Sequence, residues 1–329
     1  MAQGAHPALT QALPLTARAR VAELRRQAGG RSVYLAYRAG SVVARALPAR
    51  AGEAAAEAAG MVMARAMRGR RAMLERHLRR VHGPQLAGDD LDRAVRRTFA
   101  SYGRYWVESF RLPGETPAHL QAHVTSEGLE LVQEAVAAGR GVILAMPHLG
   151  GWDVGGAWMA SLGLPMVAVM EDLQPPELFR WIADLRRAIG LEVIPLGSGV
   201  GTAVLQRLEK GAVVALVCDR DLEGTGIEVE FFGERTTLPG GPAVLALRSG
   251  ALLLPATVYF RPGGHHHAVM GPPVNTARQS SFRKDVNRVA QAVASELERL
   301  IRAAPDQWHL LQPNWPSDRA PVAPTVVPE

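Results

Sequence analysis

Cysteine is almost absent from this chain: Cys218 is the only one. That excludes a disulfide framework and a Cys-rich zinc site, and it fits a reducing compartment. Lysine is nearly as scarce, with 2 residues against 35 arginines, a bias that looks like codon usage in a GC-rich genome and carries little functional weight. Aromatics are few, and residues 1–98 hold only Tyr34 and Tyr37. No long hydrophobic run occurs. The longest apolar stretch, Pro242 to Phe260, is interrupted by Arg248, Ser249, Gly250 and Pro255, which reads as helix, turn and strand and not as a membrane span. The start, Met1 to Pro14, lacks a basic head and an unbroken apolar stretch, so no signal peptide is expected. With 33 Gly and 23 Pro in 329 residues, low complexity and intrinsic disorder are excluded too.

The charge that is present is unevenly spread. Residues 1–112 carry 20 arginines against 8 acidic residues, whereas residues 113–329 carry 17 basic against 23 acidic. A basic, apolar-rich segment is drawn to anionic surfaces, either phosphate head groups or nucleic acid. A single-strand binder would interleave its arginines with stacking aromatics, which the front of this chain lacks, so a membrane surface is favoured over nucleic acid. Val33, Leu35, Ala36, Ala39, Val42, Val43, Ala46 and Leu47 form an apolar stripe at helical spacing, with Pro48 as its stop. Further helices are expected over 51–67 and 68–82, with a fourth capped by Asp89. An ordinary helical bundle with solvated arginines accounts for the same pattern.

From about residue 125 the pattern alternates helix and strand. A helix over 126–138 precedes the apolar run Gly141–Met146, and further runs 165–170, 192–195, 212–217, 252–259 and 266–270 are separated by helical segments. The alternation predicts an α/β fold with a mostly parallel central sheet flanked by helices on both faces. The expected domains are a flexible N-terminus over 1–30, a basic helical membrane-docking segment over 31–112, an α/β core over 113–317 and a disordered tail over 318–329.

Chemistry concentrates in Ala145-Met-Pro-His148-Leu-Gly-Gly-Trp-Asp153, directly after a buried strand. Ligands gather at the carboxyl ends of strands in open α/β sheets. Here Asp153 can accept the imidazole N–H of His148 and leave the other nitrogen to take a proton from an attacking hydroxyl. Gly150 or Gly151 can offer an N–H near the helix start. The same residues also fit a helix cap and a first-turn dipole. A second strand end carries Cys218-Asp219-Arg220-Asp221, and Ile227-Glu228-Val229-Glu230-Phe231-Phe232-Gly233 follows. Extended backbone puts Glu228, Glu230 and Phe232 on one face, where a carboxylate can orient the histidine; an edge strand wearing its charges outward fits equally.

Together the His-x-x-x-x-Asp pair, the Asp-Arg-Asp and Phe-Phe-Gly stretches and Thr236-Thr-Leu-Pro-Gly-Gly-Pro-Ala243 resemble the late lipid A (lauroyl/myristoyl) acyltransferase superfamily. Within it, the actinobacterial phosphatidylinositol mannoside acyltransferases are most similar, over roughly residues 30–315, including Phe99-Ala-Ser-Tyr-Gly-Arg-Tyr-Trp106 and Pro305-Asp-Gln-Trp308. The resemblance implies transfer of a fatty acyl group, usually palmitoyl, from acyl-coenzyme A to a mannose hydroxyl of a phosphatidylinositol mannoside at the cytoplasmic face of the plasma membrane. It implies His148 as general base, Asp153 as the second motif residue and a glutamate, Glu228 ahead of Glu230, in charge relay with His148. By position Glu171 and Arg186 match polar residues around a substrate head group, and Asp219, Arg220 and Asp221 are further candidates. Gly240 and Gly241, at a helix start, can present N–H groups to a phosphate or an oxyanion; a tight turn needs the same glycines.

No Ser or Cys sits in a nucleophile elbow, so the substrate hydroxyl attacks directly and no covalent enzyme intermediate is expected. Coenzyme A enters as donor substrate; no cofactor or metal is expected, and the protein is expected to act as a monomer. The run His265-His266-His267 does not make a metal site, because neighbours on a strand alternate faces. Trp308 and Trp315 are expected to pack or to sit at an interface and not to stack on a ligand. Competing readings are an acyltransferase with another glycolipid or glycerolipid acceptor, a non-catalytic lipid-binding protein and a thioesterase.

Overall fold

In the computed structural model, which describes residues 17–222 and 224–319, the apolar runs become the strands of one seven-stranded sheet. Four helices precede it: α1 (Ala17–Ala46), α2 (Ala49–Ala66), α3 (Arg68–His82) and α4 (Gly88–Arg111). The order continues as α5 (Pro117–His123), β1 (Val124–Glu127), α6 (Leu129–Ala137), β2 (Val142–Met146), α7 (Trp152–Ser161), β3 (Met166–Met170), α8 (Pro176–Ala188) and β4 (Glu192–Pro195). Then come α9 (Val200–Leu208), β5 (Val213–Val217), a hairpin of β6 (Ile227–Phe231) and β7 (Glu234–Leu238), α10 (Gly241–Ser249), β8 (Leu252–Phe260), β9 (His266–Met270) and α11 (Phe282–Ala303).

The sheet runs β1-β9-β8-β2-β5-β3-β4, and every neighbouring pair is parallel except β8 with β9. It is thus a mostly parallel α/β sheet. Alternate side chains of the central strands feed two cores. Ile143, Ala145, Val214 and Leu253 pack with α11 residues such as Val289, Val293 and Leu297 on one face. Val142, Leu144, Met146 and Leu254 pack with Val132, Val154 and Trp158 on the other. Burial on both faces is why these strands read as unbroken apolar runs and not as alternations.

Several boundaries differ from the sequence reading. Helix α1 spans Ala17–Ala46 and so crosses the boundary read at residue 30; residues 1–16 lie outside the described residues. At the other end Asp318 is buried and anchored, so the tail does not begin at 318, and residues 320–329 lie outside the described residues. Ala87 occupies the N-cap position of helix α4 without a side-chain capping bond, and Asp89 sits in the first turn, where its charge meets the helix dipole. The helix read over 126–138 divides: 124–127 pair with β9 as a strand, Gly128 turns at φ +77°, and α6 follows.

The stripe read on α1 faces outward. Its inner face is instead Tyr34, Tyr37, Ser41 and Ala44, with the two tyrosines packed beside Trp106 and Trp181. Val42 is 66% and Val43 59% exposed, and Val62 on α2 is 66% exposed. Helix α2 meets α4 at glycines: a Cβ on Gly103 would come within 2.4 Å of the Ala56 carbonyl oxygen. Among the described residues no helix is long and apolar enough to cross a membrane.

Candidate active site

Strands β2 and β5 are parallel neighbours whose last paired residues are Met146 and Val217. His148 and Asp219 each lie two residues further on, so the register itself brings them side by side at the carboxyl edge of the sheet. Asp219 Oδ1 accepts the His148 Nδ1–H at 2.6 Å, and Oδ2 accepts the His148 backbone N–H at 3.0 Å. The carboxylate has no solvent exposure. Trp308 donates its indole N–H to Oδ2 at 2.8 Å, and Asn314 donates its amide to the Asp219 carbonyl at 3.0 Å. Burial pushes the Asp219 carboxyl up, but the His148 charge and these donors outweigh it and hold it below the ordinary carboxylate range. In the neutral ring the same bond keeps the proton on Nδ1 and leaves the lone pair on Nε2. Trp152 meets the ring edge-on, 5.6 Å between centroids.

This corrects two expectations about the partner of His148. Asp153 does not reach it: Oδ1 accepts from Arg186 Nε at 2.9 Å, while Oδ2 accepts from Tyr105 Oη at 2.7 Å and from Ser109 Oγ at 3.3 Å. The pair is mutual. Burial alone would lower Arg186, yet the Asp153 charge raises it above the usual arginine value, and burial followed by the same charge raises Tyr105. Glu228 is also elsewhere. It lies on the outer face of the β6–β7 hairpin, paired with exposed Arg235 at 3.0 Å, and Glu230 is exposed beside it. Val229 and Phe231 occupy the inner face. The alternative of an edge strand with outward charges describes the hairpin. The Phe-Phe-Gly stretch serves its turn, where Phe232 and Gly233 both have positive φ, 51° and 75°.

The glycines after His148 are structural. The Gly150 N–H bonds the Gln307 carbonyl and the Gly151 N–H bonds the Val258 carbonyl, so neither is free for an oxyanion. A Cβ on Gly150 would stand 2.0 Å from the Val258 oxygen; that approach requires glycine. Gly240 and Gly241 do line the site, at the start of α10.

A cavity of about 720 Å³ opens beside His148. Its apolar wall includes Val169, Val204, Leu205, Leu216 and Val244, and its polar wall includes Arg220 and Arg248. Arg220 reaches Glu171 at 2.7 Å, and its Nε is buried without a hydrogen-bond partner. Asp221 lies at the same edge but accepts the Gly224 and Gly226 N–H groups and the Thr237 hydroxyl, which ties the loop to β7. Cys218 is in the wall too; burial pushes its thiol far up, which removes it as a thiolate nucleophile.

A family model for bacterial lipid A biosynthesis acyltransferases matches residues 27–317. The chain belongs to that family. It is 36% identical over 295 residues to the phosphatidylinositol mannoside acyltransferase of Mycolicibacterium smegmatis, covering 88% of this chain and 93% of that protein. Against the protein of the same description from Mycobacterium tuberculosis, strain CDC 1551 / Oshkosh, identity is 38% over 290 residues, 86% of this chain and 88% of the relative. The lipid A biosynthesis palmitoleoyltransferase of Escherichia coli K12 is 23% identical over 248 residues, 75% of this chain and 79% of the relative. This acyltransferase family thus frames a site in which the sequence reading missed Tyr105, Ser109, Asn314 and His309. His309 lines the cavity, and its backbone N–H bonds the His148 carbonyl at 2.7 Å. The three histidines 265–267 go to separate partners: His265 stacks on His123, His266 pairs with Glu108 and His267 with Thr125.

Proposed function

We propose that this acyltransferase moves a fatty acyl group, palmitoyl in the simplest case, from acyl-coenzyme A to a mannose hydroxyl of a phosphatidylinositol mannoside. The observation that carries the chemistry is the His148–Asp219 pair at the rim of a large, mostly apolar cavity. Asp219 holds the Nδ1 proton, so His148 Nε2 takes the proton of the sugar hydroxyl as its oxygen attacks the thioester carbonyl carbon. The tetrahedral intermediate then collapses, the carbon–sulfur bond breaks, and the imidazolium returns its proton to the departing thiolate. No enzyme nucleophile is involved, which agrees with the protonated, buried Cys218. Arg248, the unbonded Nε–H of Arg220 and the start of α10 offer donors on one wall, suited to the phosphates that both substrates bear. The acceptor class is drawn from the mannoside acyltransferase relatives.

Docking on the anionic cytoplasmic leaflet supplies the lipid. It is supported by the outward apolar side chains of α1 and α2 on the arginine-rich front of the chain.

The test is the purified protein with palmitoyl-coenzyme A and phosphatidylinositol mannosides in anionic vesicles, with the lipid read by mass spectrometry. One added acyl chain is expected, lost by about 10²- to 10⁴-fold in His148→Ala. Free fatty acid without acylated lipid would replace the acceptor assignment; equal transfer by His148→Ala would remove His148 as base.

A further inference from the structure

The segment 308–318 touches the dyad and helix α3 by turns. Toward the dyad, Trp308 donates to the Asp219 carboxylate, the His309 N–H bonds the His148 carbonyl, and Asn314 donates to the Asp219 carbonyl. Toward α3, the Leu310 carbonyl accepts from His77 Nδ1 at 2.9 Å and Asp318 Oδ2 from His77 Nε2 at 3.2 Å. Neither His77 nor Asp318 has any side-chain exposure. A carbonyl and a carboxylate only accept, so each ring nitrogen that carries a hydrogen has an acceptor in place. Asp318 Oδ2 also takes the N–H groups of Asn314 and Trp315, at 3.0 and 3.1 Å, and Arg80 Nη1 stands 2.8 Å from Oδ1. Arg76 donates to the Asp318 carbonyl. The ring of His77 lies against Trp308, 5.5 Å between centroids.

One residue, Asn314, joins the two sets: its backbone N–H is on Asp318 and its side chain on Asp219. We infer that the buried His77–Asp318 pair is a latch that fixes the strap 308–318 against α3, making both positioning residues for the His148–Asp219 dyad. The pair reaches no substrate; it acts through Trp308 and Asn314, which set where the Asp219 carboxylate points. A buried polar pair contributes little net stability compared with an apolar replacement, while its directional demands fix one arrangement of the strap. This inference rests on the acyl-transfer reading of the dyad.

The experiment compares Asp318→Asn with Asp285→Asn. Asp285 is a carboxylate of similar burial that accepts from Arg278 and from the Gln279 and Ser280 N–H groups at the start of α11, with no contact to the strap. Both variants are assayed well below their melting midpoints. Asp318→Asn is expected to lower kcat about 10- to 100-fold with KM for the thioester unchanged, and Asp285→Asn to lower Tm while kcat stays. The downfield proton resonance of the 2.6 Å His148–Asp219 bond, identified by its loss in His148→Ala, is expected to move upfield in Asp318→Asn only. Equal Tm losses with kcat and the resonance unchanged in both variants would overturn the latch. Should Asp318→Asn not fold, His77→Gln, which keeps one donor, carries the same comparison. If the wild-type protein transfers no acyl group, the functional reading fails, and the resonance still decides whether the latch sets the dyad.

Discussion

Two buried carboxylates lie five and seventy-one residues from His148 in sequence, and the distant one holds the histidine. Asp219 and Asp153 are both shielded from solvent and both fully hydrogen-bonded. They differ in what fills their oxygens. Asp219 faces an imidazole and an indole N–H, so its charge orients a proton acceptor. Asp153 faces a guanidinium, a phenol and a hydroxyl, so its charge is consumed in fixing Arg186 and Tyr105 between α4, α7 and α8. Nearness in sequence does not decide which acid serves a base; strand register does, because β2 and β5 end at the same height.

Substitution of Asp219 gives the largest effect. Asp219→Asn keeps the shape but turns one lone-pair site into a donor, so His148 loses its fixed tautomer, and transfer is expected to fall on the order of 10²- to 10⁴-fold. Asp153→Asn is expected to read out first in stability, since it leaves Arg186 buried without its counter-charge, at about 3 kcal/mol by denaturant titration. The folded fraction should keep much more activity than Asp219→Asn. A variant of Asp153 that melts normally yet is as inactive as Asp219→Asn would break the comparison and give Asp153 a direct part in the reaction.

Acid separates the two sides of the cavity more gently. Burial, then the His148 charge, pushes His309 down to about 3, against about 6.5 for an unfolded histidine. Between those values the unfolded chain binds a proton that the folded chain refuses. Stability is therefore complete above about pH 6.5 and falls toward pH 3, by up to about 1.4 kcal/mol per pH unit from this one group. Replacing His309 with Gln is expected to flatten the dependence of Tm on pH over that window. An unchanged slope would place the acid sensitivity elsewhere.

Much of this was legible in the sequence. The apolar runs at 142–146 and 213–217 declared buried strands, and the chemistry written directly after them, His148 and Asp219, is where the cavity opens. Their pairing was not legible, because local pattern says nothing about which strands are neighbours. Asp153 misled by being close in sequence, and Glu228 by alternating with apolar residues, which marks a strand face without saying whether it looks at the site or at water. The outward turn of the α1 stripe was hidden for a related reason: valine and alanine at helical spacing look like a core until Tyr34 and Tyr37, one residue over, are seen to take the inner face. The strap 308–318 has no periodicity at all, and it is held by contacts to residues about 80 to 240 positions earlier.

The smallest effect is expected at Glu228, and it sharpens the contrast because the residue carries the same charge as Asp219. Its side chain is 67% exposed and its partner Arg235 81% exposed. An ion pair between two such groups is screened by water and salt and must immobilise two long side chains, so it contributes about 0.5 kcal/mol or less. Glu228→Gln removes the charge and keeps the shape. Transfer rates and the pH profile should match the wild-type protein, with Tm unchanged within error. A large loss of kcat in a variant that still melts normally would mean that the hairpin folds over the cavity during turnover and brings Glu228 to the dyad, and the division of labour between the carboxylates would have to be redrawn around three acids.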